Sequence, residues 1–378
     1  MEEKNLKFYG NDDLPKPTET RLTYLREQVE RLIKIPQPEQ RSLEWYELRD
    51  SMLTASDWGT ILGMNPYSNS NSLLLKKCGK DVPFPSNPAI DWGVKYEEVA
   101  VKIYERRNGV EVLEFGCIRH PTIDYLGASP DGISRDGIML EIKCPSKREI
   151  TGVIPKYYWC QVQAQLEVCE LDRCDFLECN LKEYDGIEEY LEDNFNGDFT
   201  KNKYGMEKGV LLTFYNKSTK KNNFCYGPLC LDSKELIEKW IDENKERFLE
   251  ENEDCLFMCI DYWYLVEISC IPIYRNQEWF HEALIPLTEF WNTILYWREE
   301  GYEKLDEKLK LEKEEKRKNK KPKNETVFLD SVIGDFMDND DPIKNAKKNN
   351  KSLFSKIPSP PQTPKDNDKP NFRKNLFS

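Results

Sequence analysis

Residues Gly127–Pro145 read GASPDGISRDGIMLEIKCP, and the reading of this stretch decides the fold. Arg135-Asp136-Gly137 is a tight-turn signal, because glycine accepts the left-handed backbone that short hairpins require. From Met139 to Lys143 the side chains alternate across a strand. Leu140 and Ile142 therefore face the core, while Glu141 and Lys143 sit side by side on the other face. A hairpin between Asp131 and Glu141 brings the first carboxylate back towards the second. Two carboxylates converging beside a lysine suit a hard divalent cation and the charge of a phosphate. Each piece also has a plainer reading. SPDG is a common turn, and Glu-x-Lys on the outer face of an edge hairpin is a solvated pair.

Composition narrows the classes. The chain has 378 residues, enough for one large domain or two ordinary ones, and 39 % are apolar. A mean hydropathy of −0.74 signals a polar segment. It lies at the end: residues 301–378 hold 19 Lys/Arg against 14 Asp/Glu, and residues 1–300 hold 36 against 54. An acidic body of net charge −18 is not that of a protein that coats DNA non-specifically. It is compatible with an enzyme that grips DNA locally with the help of a metal. Twelve scattered cysteines without a Cys-x-x-Cys pair predict buried free thiols in a reducing compartment. Two histidines, His120 and His281, argue against a His-based triad or a multi-His metal site. No signal-peptide core and no long apolar run are present, so a soluble, intracellular protein without a membrane span is expected.

Asp131 with Glu141-Ile142-Lys143 ten residues on resembles the PD-(D/E)XK nuclease signature. More narrowly, LGASPDGI followed by LEIKCP resembles the phage lambda-type exonuclease, or YqaJ-like viral recombinase, branch of that superfamily. Three further motifs follow that family's order within residues 41–181. Trp45-x-x-x-Arg49 and then Thr54-Ala55-Ser56 resemble its N-terminal motif, in which the arginine and serine hold the 5′-terminal phosphate of DNA. By that match the roles fall on Arg49 and Ser56. By itself Ser56 or Asp57 reads as a helix cap. WGVKYE resembles the segment whose glutamate joins the metal site. The residues agree on which glutamate: Glu98 stands four before Lys102 as a surface pair, whereas Glu97 lies among Val94, Ala100, Val101 and Tyr104 and needs a partner. Tyr158-x-x-Gln161-Val162-Gln163 resembles the helix lining the active site, with Tyr158, Gln161 and Gln165 on one face. Gln161, and Tyr158 as a DNA contact, would then meet the metal-bound water or the DNA backbone.

Around this centre the chain divides into four expected parts. Residues 1–40 are a polar N-terminal segment with a helix from Thr20 to Ile35. Residues 41–181 are the nuclease core. Residues 182–321 are an extension with helices near 186–195, 232–251 and 278–300, a strand near 260–273 and a charged terminal helix. Its tryptophans, Trp263, Trp279, Trp291 and Trp297, are expected in the core rather than stacked on bases. Residues 322–378 are poor in apolar residues, contain PSPPQTPK, and are expected to be disordered.

The fold expected is α/β and restriction-endonuclease-like: a mixed sheet flanked by helices, with a mainly helical C-terminal extension. The resemblance implies a metal-dependent DNA exonuclease acting 5′→3′ on linear duplex ends and leaving 3′ overhangs for recombination or genome processing. Asp131, Glu141, Glu97 and the Ile142 carbonyl would bind Mg²⁺, for which Mn²⁺ could substitute. Lys143 would orient or deprotonate the attacking water. Duplex ends, a single-strand annealing protein and further copies of the chain are the partners implied. Rival readings are a non-catalytic DNA-end or partner-binding module, and an endonuclease on the same fold.

Overall fold

The computed structural model describes residues 14–80 and 87–318. The expected tail at 322–378 lies outside them. The chain opens with α1 (Glu19–Lys34), α2 (Leu43–Asp50), β1 (Leu53–Thr54), α3 (Ala55–Ile61), α4 (Ser70–Lys77) and α5 (Pro88–Asn108). Short strands follow: β2 (Val112–Leu113), β3 (Ile118–Arg119), β4 (Leu126–Ala128) and β5 (Gly132–Ser134). Then come β6 (Ile138–Lys143), α6 (Lys156–Cys169), β7 (Arg173–Glu183) and α7 (Ile187–Glu192). The remainder is β8 (Lys208–Asn216), β9 (Lys221–Tyr226), α8 (Lys234–Glu251), β10 (Cys255–Tyr274), α9 (Gln277–Glu300) and α10 (Tyr302–Lys318).

Local chemistry sets several boundaries. α5 starts at Pro88, four residues before the Trp92 expected. Asn87 caps it by accepting from Ala89 N, and proline in a first helical turn lacks only an N–H that has no partner there. Gly109 ends it in the left-handed conformation at φ 63°. α3 is capped by Thr54, not by Ser56 or Asp57. The Asp57 carboxylate accepts from Thr54 N and from its hydroxyl, each at 2.9 Å. The β5–β6 hairpin turns where expected, with Gly137 at φ 78° and its N–H bonded to Ser134 O at 2.9 Å.

Seven strands form one mixed sheet in the order β2-β5-β6-β7-β10-β8-β9. β6 runs parallel to β7 and antiparallel to β5. It is therefore an inner strand, and Asp131, Glu141 and Lys143 are not at the sheet's edge. Both of its faces are covered. Leu140 and Ile142 pack with Tyr96, Val99, Ile103 and Leu177 on the α5 side. Met139 packs with Val162, Leu166, Cys174 and Phe176 on the α6 side. Burying side chains of this kind contributes about 1.5–3 kcal/mol each.

Segment 182–321 is more than a helical addition. It supplies β8, β9 and the 20-residue β10 to the same sheet, and the expected boundary at 181/182 falls inside β7. β10 pairs antiparallel with β7 along one half and with β8 along the other. The strand pair expected at 110–126 is also divided. β2 joins the large sheet beside β5, while β3 joins a small sheet of order β1-β4-β3. The tryptophans of the extension pack as expected: Trp263 and Trp279 are buried, and Trp291 stacks on Tyr125 at 5.5 Å. All twelve cysteines are free, nine of them buried.

Candidate functional site

The small sheet places two remote segments side by side. β1 pairs parallel with β4, Leu53 opposite Leu126 and Thr54 opposite Gly127. A Cβ on Gly127 would lie 2.1 Å from Met52 Sδ and 3.0 Å from Ile118 O, so only glycine lets these strands approach. Beyond the pairing, Thr54 leads to Ser56 and Gly127 leads to Ser129, Pro130 and Asp131. Arg49, at the end of α2, joins the two segments. Its Nη2 donates to Ser56 Oγ at 3.1 Å and its Nη1 to Ser129 Oγ at 3.2 Å. Its guanidinium also lies over the Trp45 ring at 4.3 Å. The two residues of the phosphate motif are thus in contact, with a third residue, Ser129, beside them.

A buried lysine holds this corner. Lys77 Nζ donates to Arg49 O and Met52 O at 2.7 Å each and pairs with Asp57 at 3.1 Å. From α9, Arg298 donates to Lys77 O at 2.9 Å and to Asp50 O at 2.7 Å. A helix of the extension therefore supports the α2–α3 corner.

The acids come from β5–β6 and α5. Glu141 is 0 % exposed, because its strand face meets α6 rather than water. Its Oε1 accepts from Gln161 Nε2 at 2.8 Å and pairs with the Lys143 ammonium. Its Oε2 accepts from Gln165 Nε2 at 2.7 Å. Residues four apart on a helix share one face, so Gln161 and Gln165 close on the carboxylate together. Asp131 Oδ2 accepts from Ile142 N at 2.7 Å. Lys143 Nζ lies 4.8 Å from the centre of the Tyr158 ring. Glu97 has the partner its setting required, Arg41 at 3.1 Å. All the expected site residues except Ile142 and Tyr158 line one cleft, and Tyr158 stands against its lysine.

Charge is crowded here. Burial, with Glu141 and Glu97 close by, pushes the Asp131 carboxyl well above the usual carboxylate range. Burial also raises Glu97, against the opposing pull of Arg41 and Lys143. Burial alone would lower Lys143, but the facing Glu141 and Asp131 outweigh it and hold the ammonium above the usual lysine range. Lys143 is thus a cation in this arrangement and not a free base. Among the described residues no three His, Cys, Asp or Glu side chains close into a ready metal sphere. Glu97 is turned to Arg41 and Glu141 to Lys143. The donor chemistry nevertheless fits a hard divalent cation: three carboxylates line one cleft, and burial together with their mutual repulsion raises two of them.

Gln165, Ser129 and Arg41 also line the cleft, without a role having been expected for them. Gln165 shares the face of Gln161, and that spacing was the signal for it. Ser129 directly precedes Pro130-Asp131. Arg41, with φ 67°, sits in a proline-broken run that carries no motif.

Residues 44–172 match the family model described as the YqaJ-like viral recombinase domain. Every one of the cleft positions named above from Trp45 to Gln165 lies within this stretch, while Arg41 stands just before it. The chain is 33 % identical over 332 residues to an uncharacterized protein of Acanthamoeba polyphaga mimivirus, covering 79 % of this chain and 60 % of that protein. It is 28 % identical over 160 residues to a protein of African swine fever virus, covering 34 % of this chain and 46 % of that one. The chain thus spans about half to three-fifths of the length of these relatives. It is also similar to a crystal structure of an alkaline exonuclease from Laribacter hongkongensis, at 20 % identity and a TM-score of 0.40, over 71 % of this chain and 98 % of that one. A structure of the same enzyme in complex with dAMP gives 21 % identity and a TM-score of 0.41, over 68 % of this chain and 95 % of that one. Among the described residues no helix is long and apolar enough to cross a membrane.

Proposed function

We propose that the chain is a Mg²⁺-dependent exonuclease that digests one strand of duplex DNA from a 5′-phosphorylated end. The observation that carries this reading is the meeting of Asp131, Glu141, Lys143 and Glu97 with the Arg49–Ser56–Ser129 group in a single cleft. Glu97, Asp131, Glu141 and the Ile142 carbonyl would hold the ion, with Mn²⁺ as a substitute. When bound, it supplies Lewis acidity that activates water and offsets charge on the scissile phosphate.

The chain's own groups do the rest. Lys143, kept protonated by its neighbours, presents an ammonium to the phosphate oxygens as negative charge builds on them. Gln161 donates from the α6 side and orients the carboxylate and the water beside it. Tyr158 lies against the ammonium and contacts the DNA backbone. Arg49 takes the terminal phosphate in a two-pronged grip, with Ser56 and Ser129 donating hydroxyls. Holding a strand by its end sets polarity: one phosphate is fixed in the pocket and the next phosphodiester lies towards the metal acids. The product is a 3′ overhang, the substrate of a single-strand annealing protein. Three features of the reading, an intracellular site of action, association of several copies around DNA, and a tail from 322 outside the chemistry, rest on composition and on the resemblance.

The deciding experiment compares linear with covalently closed duplex, each with Mg²⁺ and with EDTA. Linear DNA should be degraded only with the metal, and closed circles should survive. Cleavage of closed circles would make the protein an endonuclease. Tight binding of ends without cleavage under any divalent cation would leave a DNA-end module. Within the linear arm, 5′-phosphorylated duplex should be digested on the order of 10- to 100-fold faster than 5′-hydroxyl duplex, the worth of a charge-assisted bond. Arg49→Ala should narrow that ratio, and Arg49→Lys should restore it only in part.

A further inference from the structure

Gln165 is fully buried in the middle of α6, and its amide lies between the two halves of the site. Nε2 donates to Glu141 Oε2 at 2.7 Å and makes a longer bond to Ser129 O at 3.3 Å. Ser129 is the residue whose hydroxyl takes Arg49 Nη1. One amide group therefore touches a candidate metal acid and the backbone of a candidate phosphate ligand. Its other end is unsatisfied: Oε1 is buried and has no hydrogen-bond partner. A buried amide oxygen left unpaired is destabilising, whereas an apolar side chain of the same length would be free of that cost. What offsets that cost at this position is the pair of bonds made by its NH₂ group, to Glu141 Oε2 and to Ser129 O.

We propose that Gln165 is a positioning residue that couples the terminal-phosphate pocket to the metal acids. It holds the Ser129-Pro130-Asp131 segment against Glu141, so that Arg49 and Ser129 stand at a set distance from the carboxylates. That distance determines which phosphodiester lies over the acids when the end is gripped. The inference rests on the proposed reading of Arg49 and Ser129. Gln161 differs from Gln165: it reaches Glu141 Oε1 and no part of the phosphate group.

The test uses Gln165→Met in the full chain, a substitution that keeps length and an unbranched shape but removes the donor. Binding of fluorescent 5′-phosphorylated and 5′-hydroxyl duplexes is measured in EDTA, so no metal and no turnover enter the readout. Melting curves and Mg²⁺-dependent cleavage rates are taken alongside. Wild type should bind the phosphorylated end more tightly. Gln165→Met removes the unpaired amide oxygen but also takes the donor from buried Glu141 Oε2, so it should melt somewhat lower yet cooperatively, and should lose about 3- to 10-fold of the phosphate-dependent part of binding, the scale of one hydrogen bond. Its cleavage should fall and should stop at more than one distance from the end. Gln161→Met should slow cleavage with the phosphate preference in EDTA intact. If Gln165→Met slows cleavage but keeps that preference, it only orients Glu141 and the coupling is overturned. If wild type itself shows no preference for a phosphorylated end, the pocket assigned to Arg49 fails instead, and the two failures are told apart by the wild-type measurement.

Discussion

At the scale of single residues, the site keeps like charges closer than stability favours. Asp131 is held well above the usual carboxylate range by burial and by Glu141 and Glu97. Replacing it with asparagine removes a charge while leaving an oxygen to accept from Ile142 N. Asp131→Asn should therefore melt at a higher temperature than wild type and show no cleavage, an exchange of stability for function. A lower melting temperature, or near-normal cleavage, would remove Asp131 from the metal set. His120 makes an independent prediction. Burial keeps its ring below the usual histidine range, and Nδ1 accepts from Thr122 N and Ile123 N at 3.2 Å each. The native state thus binds its proton at lower pH than the unfolded chain, which takes it near pH 6.5. The stability contributed is fully present above about pH 6.5 and is lost as pH falls from there through the native value. Between pH 7 and pH 5 the melting temperature of wild type should drop further than that of His120→Asn, whose oxygen can take the same bonds without titrating. Parallel slopes would show that the ring is not the titrating group.

At the scale of elements, the site is assembled by close approach of helices and strands. α3 carries Ser56 and packs on α6, which carries Gln161 and Gln165. The contact is possible because Gly59 faces Tyr157: a Cβ there would stand 2.8 Å from Tyr157 Cβ and 3.1 Å from its Cα. Alanine gains about 1 kcal/mol of helix propensity over glycine. Against that, overpacking costs about 1–3 kcal/mol, and the neighbours here are rigid rather than the end of a flexible chain. Gly59→Ala should therefore destabilise on balance by up to about 2 kcal/mol. It should also narrow the preference for a 5′-phosphorylated end, since α3 and Ser56 must shift away from α6. A variant as stable as wild type with an unchanged preference would show that the two helices part without moving Ser56.

At the scale of the whole molecule, segment 182–318 and the segment before it are one structure. Trp58 of α3 stacks on Phe280 of α9 at 5.8 Å, and Arg298 of α9 bonds to the α2–α3 corner. β10 joins the core strand β7 to β8. A chain ending after residue 320 keeps every one of these contacts and should fold and cut a simple linear duplex at about the wild-type rate. A chain ending after residue 276 loses α9 and α10 and uncovers Trp58. It should be insoluble or bind a hydrophobic dye, with a broadened melt or none. If the shorter chain instead melts cooperatively near the wild-type temperature, the extension is a separate unit.

The sequence by itself determined the local chemistry. Alternation over Met139–Lys143 put Glu141 and Lys143 on one face, Gly137 set the hairpin, and the setting of Glu97 separated it from the surface pair Glu98–Lys102. Such features follow from periods of two or 3.6 residues and from single-residue backbone preferences, which act within a few positions. What lay beyond that range was decided only in three dimensions. Strand pairing between Leu53 and Leu126 brings Ser56 to Ser129, and no spacing announces a partner some seventy residues away. The face of β6 that carries Glu141 reads as wet until α6 lies on it, because alternation gives the side but not what covers it. Arg41 reaches Glu97 across fifty-six positions from a segment without periodicity. The strands β8 and β9 entered the sheet because β10 is long enough to pair on both flanks, a property of the assembled sheet rather than of any one strand.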